Sequence, residues 1–222
     1  MKKMLAIVLI LFFTLTVSHV SANHQQFGYV RVLHASTDAP HIDIYINKEH
    51  AFGEIGFKSI TDYKTLKDGS YKIKIFPEGS DPNKEKPIIK DKVKINNGEA
   101  FTLAVVQIDG NYELNTFQDN IIPTKEISKM RFVNLSEDTS PLELQTDEWN
   151  IEDVPFNNAS EYQEVAPASQ DLIIKTKSEE VIYEIPNLQL MSGANYTVFA
   201  LGLTKGEPGF GVIITKDKIK NN

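Results

Sequence analysis

The sequence contains no cysteine in 222 residues. That absence excludes disulfide frameworks, thiolate zinc sites, iron–sulfur clusters and cysteine nucleophiles. Basic charge is also short, with 23 Lys and Arg against 30 Asp and Glu and a net charge of -7. A nucleic-acid binder needs a basic face to neutralise phosphates, so no nucleic-acid partner is expected. Aromatic residues make up 9% and do not interleave with basic ones, which argues against single-strand stacking platforms. Phosphate-cradling Gly-rich loops, Gly-x-Ser-x-Gly elbows and His-Glu-x-x-His helices are missing as well.

The one long apolar run lies at the start. Lys2 and Lys3 precede Leu5 to Val17, where only Thr14 and Thr16 interrupt, and the run ends at Val20-Ser21-Ala22. This order of charge, apolar stretch and small residues predicts a signal peptide over 1–22, cleaved after Ala22. Its length falls short of the roughly 20 apolar residues of a membrane span, so no span is expected in the mature chain. Export without cysteine points to a secreted, extracellular protein of bacterial type, which makes the sequons at Asn134, Asn158 and Asn195 chance matches.

After the leader, the chain repeats itself. Val30-Arg31-Val32-Leu33-His34-Ala35-Ser36-Thr37-Asp38 aligns with Met130-Arg131-Phe132-Val133-Asn134-Leu135-Ser136-Glu137-Asp138. Phe57 to Asp62-Tyr63 aligns with Phe156 to Glu161-Tyr162, and Gly98 to Leu103 with Gly193 to Val198. Matched blocks in one order predict a tandem duplication, with a first repeat at 23–122 and a second, degenerate one at 123–222. Within each copy apolar residues alternate, as in Ile42, Ile44 and Ile46, or Tyr71, Ile73 and Ile75. This is the period of half-buried strands. Asp109-Gly110 between two such runs is a hairpin signal, because both residues tolerate the positive φ of a type I′ turn. The expected fold is all-β: two antiparallel, immunoglobulin-like β-sandwiches of seven or eight strands each.

The stretch from Tyr29 through His34-Ala35-Ser36-Thr37-Asp38-Ala39-Pro40, the strand Ile42-Asp43-Ile44-Tyr45-Ile46, Tyr63 and the Gly69-Ser70-Tyr71 turn resemble a bacterial family. It is catalogued as a domain of unknown function, number 4397. The resemblance implies an exported protein, often with tandem domains, and brings no catalytic residues. The first repeat has Thr37 where the family has Pro; the second has Asn134 in place of the His and Ser140-Pro141 in place of Ala-Pro.

Candidate chemistry is thin. His34, Ser36 and Asp38 share a strand face, yet same-face neighbours stand about 6.6 Å apart, beyond the direct hydrogen bonds of a nucleophile and its base. The segment Ser36 to Pro40 reads instead as a turn. A metal set drawn from His34, Asp38, His41 and Asp43 is undercut by alternation, which sends His41 and Asp43 toward solvent. Asp81, Asn83 and Glu85 imitate a calcium loop, but Lys86 and Lys92 stand where it needs Gly and Glu. The lone Trp149 suits a core or interface position, or a platform for a sugar.

The recurring charges point to structure. Arg31 and Arg131 sit amid apolar residues, while Asp62 and Glu161, each before a Tyr, and Asp38 and Asp138 recur with them. An Arg–carboxylate pair joining two strands is expected. No cofactor, metal or catalytic residue is assigned; Arg31, His34, Asp38, His41 and Trp149 are the binding candidates. The function expected is a secreted, non-enzymatic protein binding a cell-wall polymer, a polysaccharide or a surface protein. A hydrolase or metal enzyme centred on the first repeat and a self-assembling surface subunit are the alternatives.

Overall fold

A computed structural model of the protein describes residues 26–220. The expected signal peptide, residues 1–22, lies outside them. Among the described residues every helix or strand is a strand, and no helix is long and apolar enough to cross a membrane. The first half holds β1 (Phe27–His34), β2 (Ile42–Ile46), β3 (Glu49–Ile55), β4 (Lys64–Lys67), β5 (Gly69–Pro77), β6 (Ile89–Ile95), β7 (Ala100–Ile108) and β8 (Asn111–Asp119). The second holds β9 (Ser128–Leu135), β10 (Leu142–Gln145), β11 (Asn150–Val154), β12 (Asn158–Ala159), β13 (Gln163–Val165), β14 (Ser169–Thr176), β15 (Val181–Gln189), β16 (Asn195–Leu201) and β17 (Gly211–Lys216).

The strands form four sheets. In the first half β4-β1-β7-β8 faces β3-β2-β5-β6; in the second, β12-β9-β16-β17, with β13 also on β9, faces β11-β10-β14-β15. Pairing is antiparallel apart from β1 with β7 and β9 with β16, which run parallel. The purely antiparallel arrangement expected from the sequence is therefore corrected at those two pairs. A parallel neighbour needs a long crossover, and here the chain visits the facing sheet between β1 and β7. The β7–β8 hairpin closes through Asp109 and Gly110 at φ of 49° and 77°.

Alternate residues of the central strands serve different cores. Val30, Val32, Leu103 and Val105 pack with Ile42, Ile44, Ile73 and Ile75 inside the first half. Met130, Phe132, Val198 and Ala200 pack with Leu142, Leu144, Leu172 and Ile174 inside the second. The opposite faces meet between the halves: Leu33, Ala35, Ala104 and Val106 touch a cluster shared with Val133, Leu135, Phe199 and Leu201. The half-buried strands predicted from alternation are thus buried on both faces at β1, β7, β9 and β16. Arg31 and Arg131 share strand parity with Leu33 and Val133, so both point into this contact.

Candidate functional site

Between the halves lies a buried polar cluster built twice. Arg31 on β1 stands in register with Thr102 on β7, and its Nε donates to Thr102 Oγ1 at 2.8 Å. Its Nη2 donates to Asp217 Oδ1 at 2.5 Å, and Nη1 to Thr215 Oγ1 at 3.2 Å, both from the far end of the chain. Arg131 on β9 does the same with the halves exchanged. Its Nε donates to Thr197 Oγ1 at 2.9 Å, Nη1 to the Gln118 carbonyl at 2.7 Å, and Nη2 to Asp119 Oδ1.

Each aspartate is then held by its own half. Asp119 Oδ2 accepts from Tyr63 at 2.6 Å and Thr102 at 2.7 Å; Asp217 Oδ2 accepts from Tyr162 at 2.7 Å and Thr197 at 2.7 Å. The guanidiniums lie over the same tyrosine rings, at 4.6 Å for Arg31 on Tyr63 and 4.8 Å for Arg131 on Tyr162. Both carboxylates are fully buried. Two arginines and two aspartates give zero net charge, and every lone pair used is matched by a donor, which is what a buried ion pair requires.

The electrostatics follow from this packing. Burial opposes the charge of Arg31, but Asp119 and Asp217 outweigh it and hold its pKa above the ordinary value. Burial, reinforced by Asp119 for Tyr63 and by Asp217 for Tyr162, raises both phenols far above their usual range, so they remain donors. Burial also raises Asp217, against the pull of Arg31.

The sequence pointed to Arg31 and Arg131, but the carboxylates are not Asp62 and Glu161; it is the residues after those, Tyr63 and Tyr162, that join the cluster. Asp62 is exposed and pairs with Lys220 at 2.7 Å. Asp119 and Asp217 carry a weak signal, the same residue 98 positions apart within otherwise unlike flanks. An open cleft of about 540 Å³ runs along the seam, with Asp119, Arg131 and Tyr162 in its wall beside Glu99 and Glu161. Its buried charges are already committed to one another.

The motif residues lie elsewhere. His34 is wholly buried and its Nε2 bonds the Pro40 carbonyl at 2.9 Å. Burial holds its pKa down. Asn134 takes the equivalent place, donating to the Thr139 and Val154 carbonyls at 3.3 and 3.1 Å. Ser36 Oγ is buried and unpartnered, so His34, Ser36 and Asp38 are not chained by hydrogen bonds. Asp38 is exposed, and its carbonyl accepts from Tyr112 at 3.3 Å. His41 is exposed and stands 3.2 Å from Glu78. Trp149 packs against the second half's core, and its indole nitrogen has no hydrogen-bond partner among the described residues.

Asp43 corrects the alternation reading. It is 8% exposed rather than solvent-facing, accepting from the Glu54 and Gly79 amides at 3.1 and 3.0 Å. Glu54 lies where β3 bulges in its pairing with β2, and Gly79 in the loop after β5; both have positive φ, and both amides reach the Asp43 carboxylate. His34, Asp38, His41 and Asp43 are not assembled as a metal set: among the described residues no three His, Asp or Glu side chains are placed to hold a metal ion.

Asp138 holds the loop between β16 and β17. Its carboxylate accepts from the amides of Thr204 and Lys205, both at 3.0 Å, and from Thr204 Oγ1 at 2.9 Å. Burial acts to raise its pKa, but these donors and Ser136 outweigh it and hold the carboxyl low. A carboxyl lowered by folding stabilises above its unfolded pKa of about 4, and that contribution disappears as pH falls through the lower folded value. Protection of the Thr204 and Lys205 amides, taken as exchange relative to the unstructured rate at the same pH, should therefore fall below about pH 4, and Asp138→Asn should remove that fall. Protection that stays constant with pH in the unmodified chain would contradict this.

Comparisons with known proteins bear on this architecture. A family model described as "Domain of unknown function (DUF4397)" matches residues 28–145, from β1 to the end of β10. Curated proteins give no match. Among solved structures, the C-terminal domain of AlgF from P. aeruginosa is 19% identical, covering 41% of this chain and 99% of its own, with a TM-score of 0.34. A Bacteroides uniformis protein described as a candidate cell adhesion protein is 9% identical, covering 86% and 98%, with a TM-score of 0.29. The fimbrial anchor protein Mfa2 from Porphyromonas gingivalis is 10% identical over 86% and 97%, with a TM-score of 0.20.

Proposed function

We propose that this chain, which belongs to the family described as Domain of unknown function (DUF4397), is a secreted, non-enzymatic binding protein of the cell surface or extracellular matrix. In this reading residues 1–22 are removed on export, and two β-sandwich repeats of immunoglobulin-like type, 23–122 and 123–222, face a wall polymer, a polysaccharide or a surface protein.

The carrying observation is the exchanged Arg–Asp cluster. Groups with shifted pKa values, buried together, are where chemistry is first sought. Here Arg31, Arg131, Asp119 and Asp217 are bonded to one another and to Tyr63, Tyr162, Thr102 and Thr197. Such a cluster joins the halves and fixes the relative position of their loops. Rigid presentation of two loop sets suits a binder, because little entropy is lost when it engages a partner.

The test is co-sedimentation of residues 23–222 with isolated cell walls and with insoluble polysaccharides. Saturable pelleting on at least one matrix is the expected result. Pelleting on none would overturn the reading. Cutting the chain into halves is a poor test, since each half would expose an arginine whose carboxylate was left behind.

A further inference from the structure

The second half carries a feature the first lacks. Between β7 and β8 the turn is two residues long, whereas β16 and β17 are joined by the Gly202–Phe210 loop. That loop is tied down at several points. Asp138 bonds Thr204 and Lys205, Ser136 Oγ donates to the Gly202 carbonyl at 2.7 Å, and Lys58 from the other half donates to the Gly209 carbonyl at 2.6 Å. Ordered this way, it stands away from β15, an edge strand of its sheet, and leaves a cleft of about 400 Å³.

The lining is mixed in a telling way. Phe210, partly exposed, lines the cleft with Val181 and Ile182, and Tyr183 lies beside the Phe210 ring at 5.8 Å between centroids. The Thr139 and Thr204 hydroxyls, bonded to each other at 2.8 Å, line it as well, with Glu180 and Lys205. The Glu180 carboxylate and the Lys205 ammonium have no hydrogen-bond or ion-pair partner among the described residues. At the matching corner of the first half, Tyr112 on β8 donates to the Asp38 carbonyl at 3.3 Å.

We propose that the cleft between the Gly202–Phe210 loop and β15 binds a segment of neutral polysaccharide. This deepens the surface-binding reading and rests on it. A pyranose ring has an apolar C–H face that stacks on an aromatic side chain and a rim of hydroxyls that need donors and acceptors. Phe210 supplies the first; Thr139, Glu180 and Lys205 supply the second. The volume lies in the range of small-molecule sites. Asp138 and Glu180 against Lys205 leave the cleft acidic, in a chain that is acidic overall. An anionic polymer is therefore repelled. Proteins prefer larger apolar anchors than the single exposed Val181 and Tyr183 edge provides.

The experiment is affinity electrophoresis of residues 23–222 through native gels containing laminarin, xylan, glucomannan, dextran or pullulan, with polygalacturonate as the acidic comparison. Retardation by at least one neutral polymer is expected. Glu180→Gln and Thr139→Val should each weaken that retardation roughly tenfold, and Phe210→Ala by more. Glu180 is exposed, so its amide variant keeps the fold even where Phe210→Ala does not. Tyr112→Phe, at the matching corner of the first half, should bind as the unmodified chain does. Retardation by polygalacturonate alone, by nothing, or equally for Glu180→Gln and Thr139→Val overturns the proposal. Wall pelleting that persists unchanged in Glu180→Gln would sink this site and leave the surface-binding reading standing.

Discussion

Asp119→Ala should cost about 3–5 kcal/mol, the range for removing one partner of a buried charge pair. The loss has several parts. Arg131 keeps its charge without its carboxylate, Tyr63 and Thr102 lose their acceptor, and Arg31 loses an anion 3.5 Å away. Against a typical stability of about 5–15 kcal/mol this is large, and for a chain of this size it lowers Tm by roughly 6–20 °C. Asp217→Ala should behave alike, because an arginine of the other half and a tyrosine and a threonine of its own half surround it in exchanged order.

The position of Trp149 makes the measurement sharper. It is the single tryptophan and packs in the second half, whereas Asp119 ends β8 in the first. If the cluster couples the halves, the fluorescence transition of Trp149 shifts with the far-UV circular dichroism transition in Asp119→Ala. A Trp149 transition that stays in place while the dichroism shifts would show that the halves unfold independently. The double variant Asp119→Leu/Arg131→Met should recover part of the loss, since an apolar replacement of both partners leaves no orphaned charge there.

How much of this was legible from the residues depends on where each partner comes from. Alternation in β2 and β5 was enough to place Ile42, Ile44, Ile73 and Ile75 in one core, because a strand's period is a local property. The recurrence of Arg31 with Arg131 marked a structural Arg–carboxylate pair, and Tyr63 and Tyr162 recurred beside Asp62 and Glu161 without a role of their own. The arginines' carboxylates were not recoverable, because each arginine reaches across to the other half and no local spacing encodes that exchange. Alternation failed at Asp43 for a related reason: parity tells which side of a strand a residue takes, not whether a loop covers that side. Asp138 was visible as a repeated residue, yet nothing around it said that it caps the loop between β16 and β17.

The Gly202–Phe210 loop supplies the other large effect. Gly202 has φ of +89°, and a Cβ there would meet the Gly209 carbonyl oxygen at 2.4 Å and its carbon at 3.0 Å. Both are backbone atoms, and Gly209 is itself held by Lys58. The loop cannot yield without breaking the Leu203 to Pro208 and Ser136 to Gly202 hydrogen bonds. A non-glycine residue at positive φ alone costs about 1–2 kcal/mol, and the clash adds to it, so Gly202→Ala should lose roughly 3 kcal/mol or more. Gly110→Ala is the matched comparison: its φ is +77°, but no atom lies within 4 Å of the added carbon. The difference in Tm between the two variants isolates the close approach from the backbone strain, and equal losses would show that the contact is not the cause. Since the cleft beside β15 exists only while this loop is folded back, Gly202→Ala should also abolish retardation by neutral polysaccharide, whereas Gly110→Ala should keep it.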